Sequence, residues 1–191
     1  MGSNLSVSEI QGLTSGGNAN TISVASGHKL TGAAGSIVAP GQAVQIIKAE
    51  YTSSDTITVN STSYVDACTL SFTPKFNNSI IKHTFYGNTL LNNSTYNKGM
   101  EHVFVRDSTL LCGGSWTSYL NRSDYTADYY QPLHRTFTDS PNTTSAITYK
   151  LQIKNYSSAA NQGWRLFDAN ASAPGIGNGV LGNWVIEEFA Q

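Results

Sequence analysis

Between Ile147 and Lys154 apolar and polar residues alternate without a fault. Ile147, Tyr149, Leu151 and Ile153 fall on one side, and Thr148, Lys150, Gln152 and Lys154 on the other. A period of two is the mark of a half-buried β-strand. The same reading predicts further strands at 43–51, 56–60, 63–73, 80–91, 101–111, 127–138, 163–168 and 180–189, with this one running over 145–156. Turn chemistry separates them: Ser53-Ser54-Asp55, Thr73-Pro74, Asn92-Asn93, Gly113-Gly114, Asp139-Ser140-Pro141-Asn142 and Pro174-Gly175. No segment carries an apolar stripe at helical spacing. The expected fold is all-β, an antiparallel β-sandwich of jelly-roll-like form over residues 41–191.

Residues 1–40 have a different texture. Short apolar beads, Leu5/Val7/Ile10 and Ile22/Val24, sit on a Gly/Ser/Thr/Asn string that ends in a Gly/Pro-bounded linker. Such stubs are too sparse to bury a core alone. They are expected to form an N-terminal β-stem, an attachment segment covered by other chains. Several strands of the sandwich are apolar on both faces. Val44 and Ile46 oppose Ile47 and Tyr51; Val103 and Val105 oppose Phe104; Trp184 and Ile186 oppose Val185 and Phe189. A strand with one wet face alternates cleanly. The second cover is therefore expected from other copies of the chain in a homotrimer, with Ile22, Val24, Ile46, Ile47, Trp184 and Ile186 as interface candidates.

Composition narrows the function. Charged residues are only 12% of the 191, with a formal net charge of -1. There is no Lys/Arg cluster, so nucleic acid is not an expected partner. No apolar run reaches the length of a membrane span, so no membrane insertion is expected. Met1-Gly2-Ser3-Asn4 has neither the basic nor the apolar part of a secretory signal. Asn-x-Ser/Thr triplets recur, as at Asn60 and Asn142, and fit an Asn/Ser/Thr-rich surface. Cys68 and Cys112 are read as thiols in strands rather than a bridge.

The search for chemistry finds little convergence. His28, His83, His102 and His134 form no metal-ligand spacing, and His83 and His102 read as satisfied structural histidines within strands. No metal or cofactor is expected. Cys112 beside Gly113-Gly114 has no designated histidine partner. Glu187-Glu188 are adjacent on a strand and point to opposite faces, so they cannot flank one glycosidic bond. The glycines of 174–183 do not join a strand to a helix, which removes a phosphate-loop reading. What remains is an aromatic-polar stretch, residues 115–135. Trp116, Tyr119, Tyr125 and Asp128 there, with Asn178 in 170–179, are the candidates for contact with a ligand. Rings give contact area at low entropy cost, and Asn and Asp supply hydrogen bonds. The competing account is that the tyrosines fill the core or an interface.

The order of several motifs carries a resemblance. Leu5/Val7/Ile10/Gln11, Thr21-Ile22/Val24/Ser26-Gly27/Leu30 and Pro40-Gly41/Val44-Gln45 open the chain. "NSTSYVDACTLSFTP" (60–74), "DSPNTTSAITYKLQIKNY" (139–156) and "WVIEEFAQ" (184–191) follow. Nearly the whole chain thereby resembles the small tail-fibre or head-fibre-like virion appendage proteins of marine tailed bacteriophages. After Thr73-Pro74 this chain has "NNSIIKHTFYG" where those proteins have an S-S-K-I-L-V strand. The resemblance implies a trimeric virion protein with a β-sandwich tip and no enzymatic activity. It would be joined to other virion proteins through its N-terminal segment and would contact a host-surface glycan or protein. Two alternatives stay open: a virion-associated glycan hydrolase using carboxylates among Asp107, Asp124, Asp128 and Asp168, and a decoration protein without receptor binding.

Overall fold

The computed structural model describes residue 26 and residues 38–91, 98–120, 129–155, 164–168 and 180–191, with the backbone alone at 53, 91, 98, 115–120 and 129. The chain divides into two units, Met1–Ile37 and Val38–Gln191. The beads at Ile22 and Val24 lie outside the described residues.

Among the described residues, the second unit has ten strands: β1 (Ala43–Tyr51), β2 (Ile57–Val59), β3 (Val65–Phe72), β4 (Ile80–Leu91), β5 (Lys98–Arg106), β6 (Thr109–Leu120), β7 (Tyr129–Asp139), β8 (Ile147–Asn155), β9 (Trp164–Leu166) and β10 (Gly182–Phe189). One short 3₁₀ turn, Ser53–Asp55, interrupts them. β1, β10, β4, β9 and β2 lie in that order in one sheet, with β7 also on β4; β3, β8, β5 and β6 form the other. With the short β2 and β9 set aside, eight long strands remain, and their pairing is nested. β5 pairs β6, β4 pairs β7, β3 pairs β8 and β1 pairs β10, all antiparallel. The chain is thus one long hairpin folded double and rolled up, with β10–β4 and β5–β8 joining successive wraps. That is the jelly roll.

The alternation seen in the sequence places the core. β8 is buried at every odd residue from Ile147 to Asn155, and β10 at every even residue from Gly182 to Glu188. Aromatic rings lock the two sheets together. Phe104 of β5 meets Phe85 of β4 at 5.5 Å, Trp184 of β10 at 5.4 Å and Phe137 of β7 at 5.0 Å between centroids. Each fully buried ring removes enough apolar surface to stabilise the fold by roughly 1.5–3 kcal/mol.

Three expectations change here. Residues 101–111 are not one strand: they cross the β5–β6 turn at Asp107 and Ser108. Asp107 adopts the left-handed region, φ 52°, which Asp tolerates. Its N–H donates to the Thr148 carbonyl at 2.7 Å and its carboxylate accepts the Thr148 N–H at 3.0 Å, so a contact distant in sequence holds the turn. Gly113-Gly114 does not end a strand either. β6 runs through both at φ 106° and 92° with shifts of register against β5. A Cβ on Gly113 would lie 2.3 Å from the His102 carbonyl oxygen, so the bulge requires glycine. Finally, Trp184 and Ile186 are 0% exposed within a single chain. β10 is an inner strand between β1 and β4, so its even residues face the opposite sheet and not another subunit. Their assignment to an oligomer interface is corrected. β5 likewise buries both faces within one chain, with Val103, Phe104 and Val105 all buried.

Buried polar groups fasten the β3–β4 connection to the start of β1 and the end of β10. Glu188, 0% exposed, accepts hydrogen bonds from Ser79 Oγ (2.5 Å), Gln45 Nε2 (2.6 Å) and the backbone N–H groups of Lys75 (2.7 Å) and Phe76 (3.1 Å). Its neighbour Glu187 points to the other face and pairs with Lys82 at 2.8 Å, as strand alternation requires.

A steric prediction follows from the glycines of β4 and β10. A Cβ on Gly182 would sit 2.3 Å from Phe167 Cε1 and 2.8 Å from the Tyr86 carbonyl oxygen; one on Gly87 would sit 2.9 Å from the same Phe167 carbon. Gly182→Ala is expected to lower stability by roughly 1–3 kcal/mol, the usual range for overpacking. In a Phe167→Ala background the added cost should fall by more than half, because the clashing ring is gone. Urea unfolding of the four proteins of this cycle measures the coupling.

Candidate functional site

The nested hairpin sorts the connections onto two ends. The β3–β4, β5–β6 and β7–β8 turns lie at one end. The termini of the sandwich are there too: the Gly41 N–H donates to the Ala190 carbonyl at 2.7 Å, and the Ala190 N–H to the Gln42 carbonyl at 3.0 Å. The β1–β3, β4–β5, β6–β7 and β8–β10 connections all start and finish at the opposite end. Register shows the gathering: Leu91 opposes both Tyr129 and Trp164, Lys98 opposes Leu120, and Met100 opposes Asn155. Asn155 ties the sheets across this end. Its side-chain amide donates to the Val59 carbonyl at 2.7 Å and its N–H to the Ser61 carbonyl at 2.7 Å.

The candidate ligand residues fall as follows. Trp116 and Tyr119 lie on the backbone of β6, opposite Glu101 and Gly99 of β5. Tyr125, Asp128 and Asn178 lie outside the described residues, in the β6–β7 and β8–β10 connections, whose flanking strands end together at the loop end. Of the remaining interface candidates, Ile46 is 62% exposed on the outer face of edge strand β1, while Ile47 is half-buried against the core.

Another group was hidden in the sequence. Tyr64, just before β3, is 36% exposed, and its hydroxyl donates to Glu101. Lys154 of β8 pairs with Glu101 at 3.0 Å, and its Nζ lies 4.6 Å from the centroid of the Tyr64 ring. The Tyr64 hydroxyl holds the Glu101 carboxyl below its ordinary range, while burial and that same bond push the Tyr64 hydroxyl up to about 12. An aromatic ring, an ammonium and a carboxylate thus meet on the outer face of the four-stranded sheet. They suit contact with a polar ligand. Glu101 of β5 and Lys154 of β8 lie opposite each other by register, and Tyr64 reaches them from just before β3, so the three share no local motif.

The carboxylates of the hydrolase alternative do not converge where they are described. Asp107 is in the β5–β6 turn, at the end of the termini. Asp168 follows β9 at the loop end, paired with Arg165 at 2.8 Å. Asp124 and Asp128 lie outside the described residues. Among the described residues no group of three or more His, Cys, Asp or Glu side chains is placed to hold a metal ion. Cys68 and Cys112 are free thiols. Burial pushes the Cys68 thiol up to about 12, away from nucleophilic chemistry.

The two histidines read as satisfied are buried, but His83 is not satisfied. Its ring is 0% exposed, and neither nitrogen has a hydrogen-bond partner among the described residues. It is enclosed by Phe137 (4.5 Å, parallel) and the edge of Tyr149 (4.3 Å), with Trp184 at 6.0 Å.

The fold defines a jelly-roll sandwich with its termini and three of its turns at one end and its other four connections at the opposite end. No protein-family model matches the chain, and no curated protein is similar to it in sequence. Partial likenesses exist among solved structures. A chain of the infectious bursal disease virus particle has a TM-score of 0.42 at 11% identity, over 85% of this chain and 39% of that one. A variant VP2 protein of the same virus, in derived particles, gives 0.39 at 13% identity, over 85% and 40%. Latent dimeric PorU of Porphyromonas gingivalis gives 0.36 at 9% identity, over 83% and 14%. The chain therefore spans about two fifths of the viral chains it overlaps. Likeness at this level carries no functional argument.

Proposed function

We propose that the chain is a structural virion protein of a tailed bacteriophage, of fibre or decoration type, without enzymatic activity. It forms a homotrimeric appendage that adheres to the host surface. The observation that carries this reading is the polarity of the sandwich. The chain enters from Val38 at one end, and the β1–β3, β4–β5, β6–β7 and β8–β10 connections gather at the other, which fits attachment through the first end and contact through the second. The motif order in the sequence supports the same reading, since it resembles virion appendage proteins from the first bead to the closing strand. Exposed Ile46 on edge strand β1 and the N-terminal beads are the surfaces that would meet partner copies. The N-terminal segment would meet other virion proteins. Trp116, Tyr119, Tyr125, Asp128 and Asn178 would contact a host glycan or protein.

Gold-labelled antibody against the chain should decorate purified particles, and sedimentation equilibrium should give three times the 20.5 kDa chain mass. Unlabelled particles would remove the virion reading, and a monomer at micromolar concentration would remove the trimer. Trp116→Ala with Tyr125→Ala should cut adsorption to host cells at least tenfold while sedimentation is unchanged; normal adsorption refutes the site.

A further inference from the structure

The edges of the two sheets are not alike. β7 holds Pro132, which has no N–H to give to a neighbouring strand. β6 is broken by three shifts of register against β5, and β3 by one between Asp66 and Cys68. β2 has three residues. Bulges, prolines and short length all discourage an edge from pairing further. β1 has none of these along most of its nine residues. Its register is regular from Gln45 to Tyr51, and among the described residues it pairs with β10 alone. One side of its backbone is thus an even row of donors and acceptors, a template for another strand. A lysine is the usual guard of such an edge, and Lys48 is here. Glu50 cancels it. The two are two residues apart, so they share the outer face of the strand, and they pair with each other with side chains 50% and 49% exposed. Ile46 lies on the same face and is 62% exposed. Glu187, opposite Ile46 in β10, is already paired with Lys82 at 2.8 Å.

We propose that β1 is a contact edge for a second copy of this chain, which adds its own β1 antiparallel about a two-fold axis at Ala49 and continues the sheet. The order of the charges selects this arrangement. With Ala49 at the axis, Lys48 lies opposite Glu50 of the second copy, and Glu50 opposite Lys48 of the second copy. Opposite charges directly across a strand pair attract, and like charges repel. Centring on Lys48 would set lysine against lysine, and centring on Glu50 glutamate against glutamate. An in-register parallel pair would do both. The Ala49-centred pairing is the one antiparallel register that sets both charges against opposites, and it brings Thr52 of the second copy against exposed Ile46. A contact through one strand edge is small beside the roughly 1,000 Å² of a stable interface, so it is weak between free molecules. Copies held side by side on one particle would meet at high effective concentration and pair more firmly; that setting rests on the function proposed above. The contact is two-fold, so a three-fold contact uses other surfaces.

Sedimentation equilibrium of the full-length chain, up to about 100 μM, tests the edge, because a weak contact needs such concentrations to fill. The smallest species should reversibly double in mass. A monomer that doubles to a dimer and a trimer that doubles to a hexamer both support the edge, so its fate is separate from that of the trimer. Lys48→Glu alone and Glu50→Lys alone each turn two attractions into repulsions and should weaken the doubling about tenfold or more. Mixed in equal amounts, these two variants should pair with each other, since one edge is then acidic and the other basic. The double exchange, Lys48→Glu with Glu50→Lys, restores the pattern and should return the dissociation constant to within about threefold of its original value. Both positions are exposed, so urea midpoints that stay unchanged show that each variant is folded. No doubling at the highest concentration, or doubling that Lys48→Glu leaves intact, would overturn the contact. Doubling that Lys48→Glu abolishes and the double exchange fails to restore would overturn the antiparallel register.

Discussion

Replacing Arg106 with Met is expected to lower folding stability by about 3–5 kcal/mol, the cost of breaking a buried ion pair from one side. Arg106 Nη1 contacts both oxygens of Asp139, at 2.6 and 2.7 Å, and the Tyr149 hydroxyl donates to the same carboxylate at 2.8 Å. Asp139 is buried, with its side chain 7% exposed, so solvent cannot replace the lost guanidinium. The network also joins the last residue of β7 to β5 and β8, and so clamps the two sheets where β7 turns back. For a chain of this size the loss corresponds to roughly 10 °C in Tm. The triple change Arg106→Met, Asp139→Leu and Tyr149→Phe should restore most of it, because no charge or hydroxyl is then left stranded. Thermal and urea unfolding followed by circular dichroism would measure both. A single-variant loss below about 1 kcal/mol would mean that the pair is hydrated and contributes little.

Acid should destabilise the sandwich well before carboxylates titrate. Burial holds His83 at about 4, against an ordinary value of 6.5. His102, also 0% exposed, is held at about 4, first by burial and then by the nearby Arg135 charge. Protonation of the unfolded chain begins near 6.5, while the folded chain resists it down to about 4. Within that window the unfolded state binds more protons, so stability is full above it and falls as pH decreases through it. The fall is about 3 kcal/mol per histidine, at 1.4 kcal/mol per pH unit. The surroundings of His83 explain why no partner softens it: Phe137, Tyr149 and Trp184 are in ring contact, and the Asp139 charge, which favours protonation, is already committed to Arg106. Glu101 and Asp66, whose hydrogen bonds hold them below their ordinary ranges, add acid sensitivity at still lower pH. His83→Phe keeps the stacking and removes the proton-binding site. Urea midpoints measured from pH 7 to pH 4 should fall less steeply in that variant, by the slope of one proton; an identical slope would show that His83 carries none of the effect.

Much of the sandwich was legible from alternation alone. The limits of β1 and β4 match the expected 43–51 and 80–91, and the buried face of β8 is the one that Ile147, Tyr149, Leu151 and Ile153 define. The misreadings share a cause. Asp107 and Gly113 make backbone shapes that local sequence permits but only a distant partner selects, Thr148 for the first and the His102 carbonyl for the second. The double-faced strands were misread for a related reason. Apolar residues on both faces show that both faces need cover, but not who provides it. For Trp184 and Ile186 it is the opposite sheet, and for β5 it is the same chain.

The candidate site was less legible. Trp116, Tyr119, Tyr125, Asp128 and Asn178 stood out because aromatic and polar residues cluster locally, whereas Tyr64, Glu101 and Lys154 are separated along the chain and meet only through register. Nothing local in the sequence marks Phe167 as a residue in the left-handed region, φ 59°. By itself, then, the amino-acid order determined that this chain is all-β, where most strands lie and which face of β8 is apolar, because a period of two needs only neighbours. The tertiary structure decided which strands pair, which connections share an end, and which groups are shut away from water. Those outcomes depend on residues far apart in sequence, and their energies exist only once the sheets have closed on one another.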